Sequence, residues 1–229
     1  MLIMCTAIGW KSVEIFAPLL RTVARMSSRV FVGLPLCRNE DWLTVSMTFT
    51  GDVFLTLAKL TSIPKPFRPF YAWITGSTKL INSHRKKAQA VLGPVIQRRL
   101  EEERLAEKNG TVYKKPNDMI QWFIDLVEPH HKTTESLSEL QLLAILASIH
   151  TTSLSFLNTL FDLAAHPECI QPIREEIESV ISENNGVLDR ATMRKMKKTD
   201  SFFKEAMRAK IGLCKFITTF LLGRLFNLL

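Results

Sequence analysis

Between Leu137 and Ala165 the sequence is apolar on every side of a helix turning about 100° per residue, and this constrains the chain more than any other feature. A helix of that kind cannot stand in water; something must cover it. Its two sides differ in size. Ala144, Ala147, Ser148, Thr151, Thr152 and Ser155 fall on one side, and Leu142, Ile145, Leu146, Ile149, Phe156, Leu157 and Leu160 on the other. The large side reads as ordinary core. The small side admits close approach of another helix, the more frequent case, or of a flat or bulky ligand. Thr151 and Thr152 sit mid-helix, where β-branched hydroxyl residues are disfavoured. Their hydroxyls either bond back to carbonyls one turn earlier or serve a ligand. His150 stands at the edge of the small face, and a lone helical histidine reads first as a satisfied polar residue.

The rest of the chain is also patterned for helices, so the expected class is all-α. A first helix is predicted over Ser12–Phe31, with Ile15, Leu19, Leu20, Val23, Ala24 and Val30 on one side and Gly33 and Pro35 as stops. Asn39 is an N-cap for a second helix from Glu40 towards Leu60. Pro64, Pro66 and Pro69 then predict an irregular connector with exposed aromatics through Trp73. A long helix follows over Ser77–Lys108, striped by Ile81, Ala88, Leu92, Val95 and Leu105. It carries Arg98–Glu102 and Arg99–Glu103 at i,i+4 and ends at Asn109-Gly110. A short helix spans Asn117–Val127, with Met119, Ile120, Trp122, Phe123 and Leu126. Ser136-x-x-Glu139 reads as a capping box for the apolar helix. Pro167 starts the next helix, which runs to Asn184-Asn185-Gly186, and a last one covers Ser201–Arg208.

The 229 residues are 46% hydrophobic and 23% charged, which excludes disorder and a multi-span membrane protein. Thirty Lys and Arg against 22 Asp and Glu leave a net charge of +8, suited to lipid headgroups, nucleic acid or an acidic partner. The basic run Arg190–Lys198 lacks interleaved aromatics, which argues against nucleic acid. Cys5, Cys37, Cys169 and Cys214 form no metal-binding spacing and fit a reducing compartment. The apolar Met1–Trp10 stretch is too short to span a bilayer and lacks a signal peptide's basic start and cleavage site.

Three segments together resemble the cytochrome P-450 superfamily of haem-thiolate monooxygenases. Ala147-Ser-Ile-His-Thr-Thr152 is similar to the family's central-helix motif, Ala/Gly-Gly-x-acid-Thr-Thr. Leu163-Ala-Ala-His-Pro-Glu168 with Ile173-Arg-Glu-Glu-Ile177 resembles the helix that follows. Ser201-Phe-Phe-Lys-Glu-Ala-Met-Arg208 resembles the helix bearing the Glu-x-x-Arg pair, here Glu205 and Arg208. Upstream, Val23–Gly33 and Asn39-Glu-Asp-Trp42 are similar to fungal members of the ent-kaurene oxidase-like type acting on terpenoids. The resemblance covers roughly Trp10 to Arg208, most of the chain.

It implies a partial cytochrome P-450 fold: the helical domain over 1–208, followed by an apolar and basic tail, 209–229, unlike the family. The haem-ligating cysteine loop, the membrane anchor and the sheet-rich N-terminal region are expected to lie outside this chain. It implies haem, a hydrophobic small-molecule substrate and an NADPH-dependent reductase for the full-length enzyme, at the endoplasmic-reticulum membrane. For this chain it implies no stable haem binding, no catalysis, and a cytosolic or peripheral membrane location. Ala147, Ser148, Thr151 and Thr152 are expected to face the haem and substrate. Thr151 and His150 take the places of the pair that supplies protons during oxygen activation, with Ser148 replacing the family's glycine and His150 its acid. Glu205 and Arg208 form a buried structural pair in the family; taken alone, an i,i+3 pair is a solvated contact. Pro64–Trp73 corresponds to a loop that often touches the membrane. The competing reading is a non-catalytic helical protein that binds partners or membranes through its apolar faces.

Overall fold

A computed structural model of the chain describes residues 2–6, 9–61 and 63–209. The chain is all-α as expected, apart from a two-stranded antiparallel ribbon at its start. Strand β1 (Leu2–Thr6) pairs with β2 (Gly9–Val13), Leu2 opposite Val13 and Thr6 opposite Gly9. Ser12 and Val13 are therefore in the ribbon, and the first helix begins later than their pattern suggested. The helices are α1 (Phe16–Phe31), α2 (Glu40–Thr61), α3 (Arg68–Ile74), α4 (Ser77–Asn109), α5 (Met119–Leu126), α6 (Thr134–Ala165), α7 (Ile170–Glu183), α8 (Arg190–Lys195) and α9 (Lys197–Ala209). The tail from Lys210, with Cys214, lies outside the described residues. The chain divides into two compact units, one of residues 17–152 and one of residues 1–16 with 153–229.

In the 17–152 unit the core is continuous. Trp42, Leu43, Leu92, Ile96, Ile120, Ile124, Leu137, Ile145 and Ile149 are all essentially inaccessible. Full burial of an aliphatic side chain contributes about 1.5–3 kcal/mol relative to exposure. Buried polar bonds fix which helix meets which. Trp42 Nε1 donates to the Ser28 hydroxyl at 3.0 Å, joining α2 to α1. His84 Nε2 lies 2.7 Å from Asp52 Oδ2, joining α4 to α2, and the Phe49 ring stands edge-on to His84. The Gln141 amide of α6 donates to the Phe31 carbonyl of α1 at 3.3 Å.

The tightest of these contacts is an ion pair. Arg99 of α4 grips Asp118 through both terminal nitrogens, at 2.6 and 2.7 Å, and both side chains are 6% exposed. Arg99 thus does not pair with Glu103, as the i,i+4 spacing suggested; Glu103 takes Lys115 instead. Lys115 also reaches Asp125 at 2.7 Å, and these two carboxylates hold its ammonium up to about 12. Asp118 caps α5 as well, accepting from the Gln121 backbone N–H. Gly33 completes the cluster. Its φ is +68°, and a Cβ there would lie 2.7 Å from Asp118 Oδ2, so no side chain fits on either count.

Other local expectations are corrected by the same accounting. Val30, Leu105, Trp122 and Leu126 are exposed, because their helices bury narrower stripes than the periodicity suggested. Residues 65–74 are helical, a 3-10 turn at Lys65–Phe67 leading into α3. Pro69 is tolerated there because first-turn N–H groups lack helical partners anyway. The cap of α6 is Thr133, whose hydroxyl accepts from the Ser136 backbone N–H; Glu139 pairs with Arg85 at 3.4 Å. The α4 terminus is as read: Gly110 is left-handed, and the Thr111 and Gly110 N–H groups return to the Ala106 and Glu107 carbonyls.

In the other unit, α9 docks on α7 through one carboxylate. Glu176 accepts from the Lys198 and Thr199 backbone N–H groups at 2.7 and 2.9 Å and from the Thr199 hydroxyl. These are orphan donors at the first turn of α9. Burial pushes the Glu176 carboxyl up, but these bonds together outweigh it and hold it below the usual glutamate range. A carboxyl depressed by folding stabilises above its unfolded value, and that stability is lost as pH falls through the folded value. The Lys198 and Thr199 amide resonances are therefore expected to shift on acidification, with a midpoint below the ordinary glutamate range. Glu176→Gln should abolish that titration; a midpoint at or above the ordinary range would contradict the capping role.

Candidate functional site

The N-terminal half of α6 is two-faced in the way its sequence indicates. Leu142, Ile145 and Ile149 are buried in the core, while Ala147 and Thr152 are exposed and Ser148 and Thr151 half-buried. The small residues thus form an open stripe. In the C-terminal half the separation of faces is weaker, and Phe156 of the large side is 45% exposed. By length and composition α6 could cross a membrane, but its Leu137, Leu142, Ile145 and Ile149 are buried within the protein.

The hydroxyls of the stripe are turned inward. Ser148 donates to the Ala144 carbonyl at 2.7 Å, and Thr151 is shared between the Ala147 and Ser148 carbonyls at 2.8 and 3.0 Å. Back-bonding of this kind satisfies a helical hydroxyl without a ligand. A rotation about the Cβ–Oγ bond would free the proton of either hydroxyl. The Nε2 of His150 lies 3.0 Å from the Met47 carbonyl of α2, across 103 residues of sequence. The structure brings Ala147, Ser148, Thr151 and Thr152 onto one surface and directs His150 elsewhere.

Glu205 and Arg208 sit on α9, bonded to each other, the guanidinium Nε donating at 2.8 Å. That bond lowers the Glu205 carboxyl and raises the Arg208 guanidinium relative to their ordinary values. Their side chains are 63% and 70% exposed, so the pair is solvated here. Of two surface clefts, one is lined by Arg85, Glu139 and Leu142, and the other, the more polar, by Arg29, Arg98 and Tyr113. Neither is lined by the α6 stripe.

Residues 6–212 match the family model for cytochrome P-450. The chain belongs to the cytochrome P-450 family. A cytochrome P-450 monooxygenase of Emericella nidulans is 40% identical over 199 residues, covering 87% of this chain and 36% of the relative. The monooxygenase olcJ of Penicillium canescens is 39% identical, covering 87% and 37%. The monooxygenase paxP of Penicillium paxilli is 34% identical, covering 86% and 38%. The chain therefore spans somewhat over a third of the length of these relatives.

The family's cofactor is haem, and the described residues fit one side of it. The exposed methyl of Ala147 and the short side chains around it would let a flat ring lie against α6. They do not fit its axial coordination. Cys37, the described cysteine of the unit that holds the stripe, is buried in the α1–α2 core and offers no axial ligand there. What sequence reasoning missed is structural: Gly33, read as a helix stop, and Arg99, read as a partner of Glu103, meet in one cluster with Asp118. For Asp118 the available signal is its cap preference before an apolar run.

Proposed function

We propose that this chain is the helical part of a haem-dependent monooxygenase of fungal secondary metabolism. The enzyme as a whole would insert one oxygen atom into a hydrophobic, terpenoid-type substrate, with electrons from an NADPH-dependent reductase. The observation that carries the reading is the open small-residue stripe of α6, Ala147 to Thr152, in a chain of this family. In that role haem supplies oxygen activation when bound. Ala147 gives the ring room, Ser148 and Thr152 border the substrate space, and Thr151 holds a proton at its hydroxyl, parked on the helix carbonyls. Axial thiolate is what favours oxygen cleavage in this chemistry; Cys37, buried in the core, does not offer one, and we read the 229-residue chain as inert by itself.

The test is a graft of residues 10–208 in place of the matching segment of the Penicillium canescens relative. The graft is expected to give a thiolate-type carbon monoxide difference band. Thr151→Ala in it should lower product formed per NADPH consumed several-fold without loss of haem. The 229-residue chain alone should give no such band. A folded graft without the band, or one indifferent to Thr151→Ala, would contradict the proposal.

The α3 region suits a membrane surface at the endoplasmic reticulum. Phe67, Phe70 and Trp73 are 61%, 61% and 72% exposed, with Lys65 beside them and Phe70 stacked on Trp73 at 6.3 Å. Exposed aromatics with a cation are the composition of an interfacial anchor. Anionic phospholipid vesicles should blue-shift the tryptophan emission of the chain, and Trp73→Phe should remove that shift; an unchanged spectrum would count against the contact.

A further inference from the structure

The core side of α6 is aliphatic, and apolar contact is non-directional. Leu142, Ile145 and Ile149 by themselves would let the helix rotate or slide on its neighbours. Polar side chains remove that freedom. Gln141 donates to the Phe31 carbonyl of α1, and nine residues later His150 reaches the Met47 carbonyl of α2. A carbonyl oxygen only accepts, so the His150 Nε2 carries the proton in this contact and the neutral ring's lone pair is on Nδ1. On the helix His150 and Thr151 are about 100° apart. The Thr151 hydroxyl is turned to its own helix, towards the Ala147 and Ser148 carbonyls. No hydrogen bond joins the two side chains, although they are adjacent in sequence.

We infer that His150 is a positioning residue: its Nε2–H bond to the Met47 carbonyl fixes the rotation of α6 against α2 and so sets the direction in which Ala147 and Thr151 face. The inference rests on the proposed monooxygenase reading only for what Thr151 does; the bond itself stands without it. The chemistry discriminates between tethering and proton supply. A carboxylate at position 150 would set an acceptor against the Met47 carbonyl, and would break a tether while preserving a proton carrier. A glutamine keeps an N–H donor near the place of Nε2 and has no titratable proton.

The experiment is nitrogen-15 NMR of the full chain, with hydrogen exchange of the α2 and α6 amides in three variants. The unmutated ring is expected as the Nε2–H tautomer, with Nε2 donating to the Met47 carbonyl. His150→Gln should leave exchange near the original rates. His150→Asp and His150→Ala should speed exchange around residues 145–152 roughly tenfold, the equivalent of one lost hydrogen bond. An Nδ1–H tautomer, an Asp variant as protected as the parent, or a Gln variant as labile as the Ala one would each overturn the inference. Neither readout involves haem or turnover. Failure here with an active graft removes only the tether; a sound tether with an inert graft removes only the proposed reaction.

Discussion

The buried bidentate pair of Arg99 and Asp118 holds together the part of the chain on which α6 is laid. It joins the middle of α4 to the start of α5, and Asp118 caps α5 with the same carboxylate. The end of α1 must come within contact of that carboxylate, and only Gly33 permits it. A buried ion pair adds little net stability over a well-packed apolar pair, because desolvation offsets attraction; breaking it by removing one partner is costly. Its effect is therefore on arrangement. With α1, α4 and α5 fixed, Leu92, Ile96, Ile120 and Ile124 present one apolar surface, and Leu137, Ile145 and Ile149 of α6 complete it.

That surface decides which face of α6 is left over. The large side is consumed by the core, so the small side is outward, and its hydroxyls fold back onto their own carbonyls. Here Ala147 and Thr152 remain exposed within a chain that belongs to the cytochrome P-450 family. The bulky residues place the helix, and the small ones are left at its surface.

Much of this was legible in the sequence because helical periodicity and capping are local. The two faces of α6, the Asn39 cap, the Gly110 terminus and the solvated Glu205–Arg208 pair all depend on residues within a turn or two of one another. What was not legible depends on distance along the chain. Arg99 had an i,i+4 partner in Glu103, yet took Asp118, because a buried site desolvates the guanidinium and demands a fixed bidentate partner. His150 read as an edge residue of the small face; its partner is a backbone carbonyl in α2, which no side-chain pattern can announce. Pro64–Pro69 read as helix-breaking, but a proline in the first turn removes no bond that would otherwise form. The ribbon of β1 and β2 escaped the helical reading because each strand has only five residues, too few to show a period against the helix that follows.

Whether the Arg99–Asp118 pair organises this unit is decided by a cycle of unfolding free energies with Arg99→Met and Asp118→Asn, the asparagine retaining the α5 cap. Arg99→Met alone is expected to cost about 3–5 kcal/mol, since it leaves a buried carboxylate uncompensated, and adding Asp118→Asn should recover much of that loss. A single Arg99→Met effect below about 1 kcal/mol, the range of a solvated pair, or strictly additive effects in the double variant, would contradict the account.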